Sequence, residues 1–170
     1  MQYVVSMPNP GTHYFHIELN SSSREKDTMY FKMPKWMPGY YQIMNYGKAV
    51  ENFTAKDNNG KNIFINKMND NTWQMVSQKN KPFHVSYDVK ADRQFVANSY
   101  IDSTHAYIDP CSMFLYIDGF LKAPVIVKIN TYKNWSNIAV SLCDYASAGN
   151  GKEPSTFQVW MHQLYDPRKA

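Results

Sequence analysis

Thr28-Met29-Tyr30-Phe31-Lys32-Met33-Pro34 places Met29, Phe31 and Met33 on one side and Thr28, Tyr30 and Lys32 on the other. Successive side chains of a strand point to opposite faces, so the segment reads as a half-buried strand ended by a proline that cannot donate to a ladder. The same alternation recurs outward in both directions. Residues 3–7 and 13–19 are two strands parted by Pro8-Asn9-Pro10-Gly11, a sequence that breaks regular structure. Downstream, 50–56, 63–68, 73–76 and 83–91 follow the pattern, with Asp57-Asn58-Asn59-Gly60 between the first two as a hairpin turn, because Asn and Gly tolerate positive φ. Residues 95–101, 113–117, 125–131, 138–143 and 156–164 complete the series. The fold class is therefore all-β: an antiparallel β-sandwich or bent two-sheet domain of about eleven or twelve short strands. One helical turn fits within 40–50, and the glycines and proline of 146–154 make that stretch the most flexible loop. The apolar positions of the strands predict a core of Phe31, Met33, Phe53, Ile63, Trp73, Val85, Tyr87, Phe114, Val127 and Ile129.

Composition agrees with one domain over residues 1–170. Hydrophobic residues make up 44% and charged residues 19% of 170 residues, which is ordinary for a globular chain and unlike a disordered or collagenous one. Thirteen Tyr, nine Phe and four Trp suit a pleated, half-buried surface. A net charge of +4 comes mostly from lysines scattered between Lys26 and Lys169. Nucleic-acid binders concentrate Arg and Lys on one face, so a nucleic-acid partner is not expected. No run of about 18 apolar residues is present to span a membrane. Met1-Gln2-Tyr3-Val4-Val5-Ser6 has no basic n-region or apolar run of signal length, so the chain reads as soluble, and a start directly in a strand-like segment also fits a mature chain whose signal peptide has been removed. Cys111 and Cys143 lack the spacing of a zinc site or a redox CxxC, and either a bridge or two buried thiols is compatible with them.

Catalytic signatures are missing. HExxH, GxSxG, the P-loop and GxGxxG do not occur,. His13 and His16, three apart, fall on opposite faces of a strand and cannot share one ion, while His84, His105 and His162 stand alone,. Asp88, Asp92, Asp102, Asp109 and Asp118 show no spacing of a catalytic pair and read as surface turns. The sequons at Asn20, Asn52 and Asn134 matter only in a eukaryotic secretory pathway.

The densest feature is Met33-Pro34-Lys35-Trp36-Met37-Pro38-Gly39-Tyr40-Tyr41-Gln42-Ile43. Two prolines and a glycine fix an irregular path that carries large rings. The rings either fill the sandwich end or form an exposed patch for another domain or a ligand, with Trp36, Tyr40, Tyr41 and Tyr46 as the candidate binding or docking residues.

Here the chain resembles a known family. Pro34-Lys35-Trp36-Met37-Pro38-Gly39-Tyr40-Tyr41 is similar to the proline-tryptophan-proline-glycine-serine-tyrosine signature in the N-terminal domain of the glycyl aminopeptidase family of PDZ-containing zinc metallopeptidases. Val50-Glu51-Asn52-Phe53-Thr54-Ala55, Asn59-Gly60, Asn71-Thr72-Trp73, Val85-Ser86-Tyr87-Asp88-Val89, Tyr100-Ile101-Asp102 and Phe114-Leu115-Tyr116 follow in register, as does the stretch 125–135. Tyr40 departs from the pattern, standing where the family has a small serine, and Tyr165-Asp166-Pro167 only loosely resembles the passage into the catalytic domain.

The resemblance implies a larger enzyme: this β-domain first, then a thermolysin-like domain with HExxH, then a PDZ domain. None of the zinc ligands falls in this stretch, so no cofactor is expected in this chain and zinc is expected in the catalytic domain. The implied partners are the protein's own catalytic domain and the N-terminal part of a peptide substrate. The implied setting is bacterial, with periplasmic or secreted location. A stand-alone carbohydrate- or protein-binding sandwich is the alternative, and it needs coplanar aromatic rings exposed on one face.

Overall fold

The computed structural model describes residues 1–22, 25–37, 39–40, 42–133, 135, 138, 145–147 and 155–160. The strands are β1 (Gln2–Ser6), β2 (Tyr14–Ser21), β3 (Thr28–Lys32), β4 (Val50–Asp57), β5 (Asn62–Ile63), β6 (Ile65–Asn69), β7 (Thr72–Val76), β8 (Phe83–Lys90), β9 (Tyr100–Ile101), β10 (Ala106–Tyr107), β11 (Tyr116–Ile117), β12 (Pro124–Asn130), β13 (Tyr145–Ser147) and β14 (Ser155–Trp160). One α-helical turn, α1 (Pro110–Met113), and 3-10 turns at Pro10–Thr12 and Tyr46–Ala49 complete the described elements. The last of these is the helical turn expected within 40–50.

The larger sheet runs β13-β14-β12-β1-β2-β8-β4-β5, a second sheet runs β11-β3-β7-β6, and β9 and β10 form a short ribbon. Described pairings are antiparallel apart from β1 with β12, which is parallel. The architecture is the all-β, sandwich-like one expected from the alternation. Fourteen strands are described, four of them only two residues long.

The two sheets meet through large side chains. β2 buries Phe15, Ile17 and Leu19, β8 buries Phe83, Val85, Tyr87 and Val89, and β3 and β7 answer with Met29, Phe31, Trp73 and Met75. Rings cross between the layers: Phe31 meets Phe83 edge-on at 6.0 Å, and Phe53 of the larger sheet stacks on Trp73 of the smaller at 5.4 Å with planes 6° apart. Phe53 also lies 5.9 Å from Tyr87. It reaches this position through a bulge, since the β4–β8 register shifts between Glu51 and Thr54. Asn52 takes φ of 51° there, a left-handed conformation that asparagine adopts more readily than most residues.

Seven of the ten expected core residues are buried, while Phe53, Ile63 and Ile129 are partly buried against the core. Buried hydroxyls find backbone partners. Tyr87 Oη donates to the Met113 carbonyl at 3.1 Å and accepts from the Leu115 amide at 3.1 Å, and Tyr3 Oη donates to the Leu115 carbonyl. Together they tie the segment after α1 to the face of the larger sheet.

Three expected strands differ. Within 95–101 only Tyr100–Ile101 is extended, because the Asn98 amide bonds to the Phe95 carbonyl at 3.0 Å and closes a turn. Residue Met113 of 113–117 ends α1, which Asp109 caps by accepting from the Ser112 amide at 3.1 Å, with Pro110 at the first helical position. An aspartate followed by proline is a helix start, and here it outweighed the apolar run. The 63–68 strand breaks at Phe64, 78% exposed, where the chain leaves one sheet for the other. Of 138–143 only Ile138 is described. Most of 146–154, and Cys143, lie outside the described residues. Cys111 is buried.

Candidate functional site

The loop after β3 is pinned at both ends. The Met33 amide donates to the Asn71 carbonyl at 2.9 Å and the Asn71 side-chain amide donates to the Met33 carbonyl at 3.0 Å. The Met44 amide then reaches back to the Lys35 carbonyl at 2.7 Å, closing the loop on itself. At its tip the Tyr40 amide meets the Met37 carbonyl at 3.3 Å, with Gly39 at φ 88°, a value that favours glycine. Gly47 matters for a different reason: a Cβ there would lie 2.2 Å from the Asp70 carbonyl oxygen. Only a residue without a side chain lets these two backbones approach so closely.

The four candidate residues divide. Trp36 is 50% exposed and has Ile43, 64% exposed, on the same loop. Tyr40 is half-buried, its ring edge-on to Phe95 at 5.3 Å and its hydroxyl 3.3 Å from Gln42 Oε1. Tyr46 is buried, and its hydroxyl donates to the Ala97 carbonyl at 2.7 Å. Burial pushes the Tyr46 phenol far above its ordinary range, with the nearby Asp109 adding to the effect. Tyr46 thus anchors the loop from beneath, and among the described residues Trp36 is the ring the loop presents. Tyr41 lies outside the described residues.

The loop's partner is the segment 91–99, whose second half falls in the strand expected over 95–101. Arg93 stacks its guanidinium over Phe95 at 4.8 Å, and Phe95 and Ala97 receive Tyr40 and Tyr46. Beneath them lies a polar knot. Ser99 and Ser112 hydroxyls are 2.8 Å apart, Ser99 Oγ accepts from the Asp109 amide at 3.0 Å, and Ser112 Oγ donates to the Asp109 carbonyl at 3.0 Å.

Asp109 is buried, contrary to its reading as a surface turn, and burial raises its carboxyl to about 6 despite the backbone donors that oppose the shift. A folded-state value above the unfolded one means that the protonated form is favoured by folding. Its stabilising contribution is full below pH ~4 and is lost as pH rises through about 6,. Asp109→Asn keeps a good cap and removes the titration, so denaturant unfolding should show the variant gaining on the parent by on the order of 2 kcal/mol between pH 4 and pH 7.5. Parallel pH profiles for the two proteins would show that Asp109 does not titrate in this window.

Asp88 is also not a turn residue. It sits within β8 and accepts from His16 Nδ1 and Asn52 Nδ2, each at 2.7 Å, which fastens the β4 bulge from outside the core. His13 precedes β2 in a left-handed conformation, with Nδ1 2.6 Å from the Ile101 carbonyl. His84 Nδ1 lies 2.8 Å from Asn20 Oδ1, and His105 lies beside Thr104 and Asp102. His13 and His105 thus flank the same Tyr100 ring, at 6.4 and 5.5 Å, while His16 and His84 have other partners; His162 is outside the described residues. Among the described residues no three of His, Cys, Asp and Glu converge so as to hold a metal ion, whereas a catalytic zinc takes three protein ligands. The stacked rings of Phe53, Trp73 and Tyr87 lie in the core and provide no outward platform for a sugar.

The packed sheets and their anchored aromatic loop place the chain in the class of β-sandwich-like domains. Within that class it belongs to the peptidase M61 N-terminal domain family, whose model matches residues 2–166. Among solved structures it is similar to an aminopeptidase N family protein from Idiomarina loihiensis, with a TM-score of 0.85 at 19% identity over 96% of this chain. The chain spans 27% of that protein's length. At this identity the likeness concerns the fold. Comparison with curated protein sequences returns no match. No helix among the described residues is long and apolar enough to cross a membrane.

Proposed function

We propose that this chain is the non-catalytic N-terminal domain of a zinc aminopeptidase of the glycyl aminopeptidase kind. It packs against the catalytic domain and helps to wall the cleft that receives a peptide N-terminus. The family match over residues 2–166 carries the reading, and the similarity to an aminopeptidase N family protein supports it. The zinc is assigned to the catalytic domain by the family resemblance, and among the described residues of this chain no three potential ligands converge. What this chain supplies is a surface. Trp36 and Ile43 are large apolar side chains left exposed on a loop whose base is fixed by Tyr46 and Asn71. A rigid base under exposed rings is how an interface limits the entropy lost on association.

Trp36→Ala tests this in the full-length enzyme. Truncating a half-exposed ring should change the isolated domain's stability by less than about 1 kcal/mol, while raising KM or weakening domain docking with zinc content unchanged. A variant that unfolds the isolated domain would make the loop part of the core. Unaltered KM and docking would show that the loop faces neither substrate nor catalytic domain.

A further inference from the structure

Between the Tyr46–Ala49 turn and the segment 91–99 the structure holds a cleft of about 240 Å³. Its wall carries Lys48, Lys90, Arg93 and Asp92 as charged groups, and Asn45 and Asn98 as amides, with Ser99 and Ser112 also lining it. Asp92 is taken up by Lys90 at 3.1 Å. That leaves two positive charges. Among the described residues no carboxylate pairs with Lys48 or with Arg93, and no hydrogen bond occupies the side-chain amides of Asn45 and Asn98. Asp109 lies behind the two serines with its carboxylate turned to the Ser112 amide. Arg93 is held in place by its stacking on Phe95, and Asn45 by a backbone with φ of 52° that opens the Tyr46–Ala49 turn.

Uncompensated cations and free amide donors converging on a concave wall favour an anionic occupant, because charge-assisted hydrogen bonds are stronger than neutral ones. The guanidinium fork suits a planar or tetrahedral oxyanion, which it can engage by two parallel N–H donors. The volume lies below the range usual for drug-sized ligands, so the occupant is small. We propose that this cleft binds a small oxyanion, the carboxylate or phosphate group of a ligand, between Lys48 and Arg93 with the amides of Asn45 and Asn98. The site is built entirely from this chain's residues and requires no metal.

Titration of the 15N-labelled chain by two-dimensional NMR tests the proposal, with N-acetylglycine, inorganic phosphate and uncharged N-acetylglycinamide as separate probes. At least one of the two anions should give saturable shifts centred on Asn45, Lys48, Arg93 and Asn98, and which anion binds identifies the group. N-acetylglycinamide should give none. Lys48→Ala and Arg93→Ala, both at exposed positions, should each weaken binding about tenfold while the rest of the spectrum keeps its dispersion. Absence of saturation with both anions, equal binding of N-acetylglycinamide, or affinities indifferent to both substitutions would overturn the proposal.

Discussion

Replacing Trp73 with alanine is expected to destabilise the domain by ~3–5 kcal/mol, read from denaturant unfolding. Trp73 is 3% exposed and belongs to the smaller sheet, but its indole lies flat on Phe53 of the larger one, 5.4 Å between centroids. Lys67 Nζ covers the ring at 5.1 Å. Truncation therefore removes a ring from the junction of the two layers and leaves Phe53 without its stacking partner. Phe53 also touches Phe31 and Tyr87, so the cavity opens into an aromatic cluster that cannot collapse without moving both sheets. A loss below about 1 kcal/mol would show that the ring cluster does not join the layers.

The sheets were legible where one face is buried along a whole strand. β2, β3 and β8 alternate strictly between buried and less buried positions, and that period is present in the chain itself. It failed where local capping chemistry competes with an apolar run, as in Asp109-Pro110, and where the chain changes sheets, as at Phe64. The Phe53 bulge was not visible because an extra residue in β4 shows only against the β8 register. Long-range pairing was also hidden: β1 joins β12 in parallel across most of the described chain.

The aromatic loop was legible as a feature but not in its division of labour. Trp36, Tyr40 and Tyr46 look alike in sequence, yet one is half-exposed, one half-buried and one buried. Tyr46 finds its acceptor on Ala97, 51 positions away, and nothing local to either residue announces that contact. The cleft depends on the same juxtaposition, so its charged wall had no signature beyond scattered single residues. Asp88 illustrates the limit from the other side, since its partners His16 and Asn52 come from two other strands.

Aminopeptidase activity carries the largest expected contrast, because it is all or none. A catalytic zinc of this class requires three protein ligands with an open position for water, and HExxH supplies two of them along with the base. The sequence contains no HExxH. Of its described histidines, His16 and His84 have separate partners at Asp88 and Asn20, and His13 and His105 flank Tyr100, but no three potential ligands converge among the described residues. Joining this domain to the catalytic domain should bring the activity, with the chain contributing surface and not ligands.

The most direct measurement is turnover of glycyl and alanyl substrates by the pure 170-residue chain with zinc in excess. The proposed role requires no release of an N-terminal residue by this chain alone, and release by the protein that carries both domains. Zinc-dependent, chelator-sensitive release by the pure chain would contradict it.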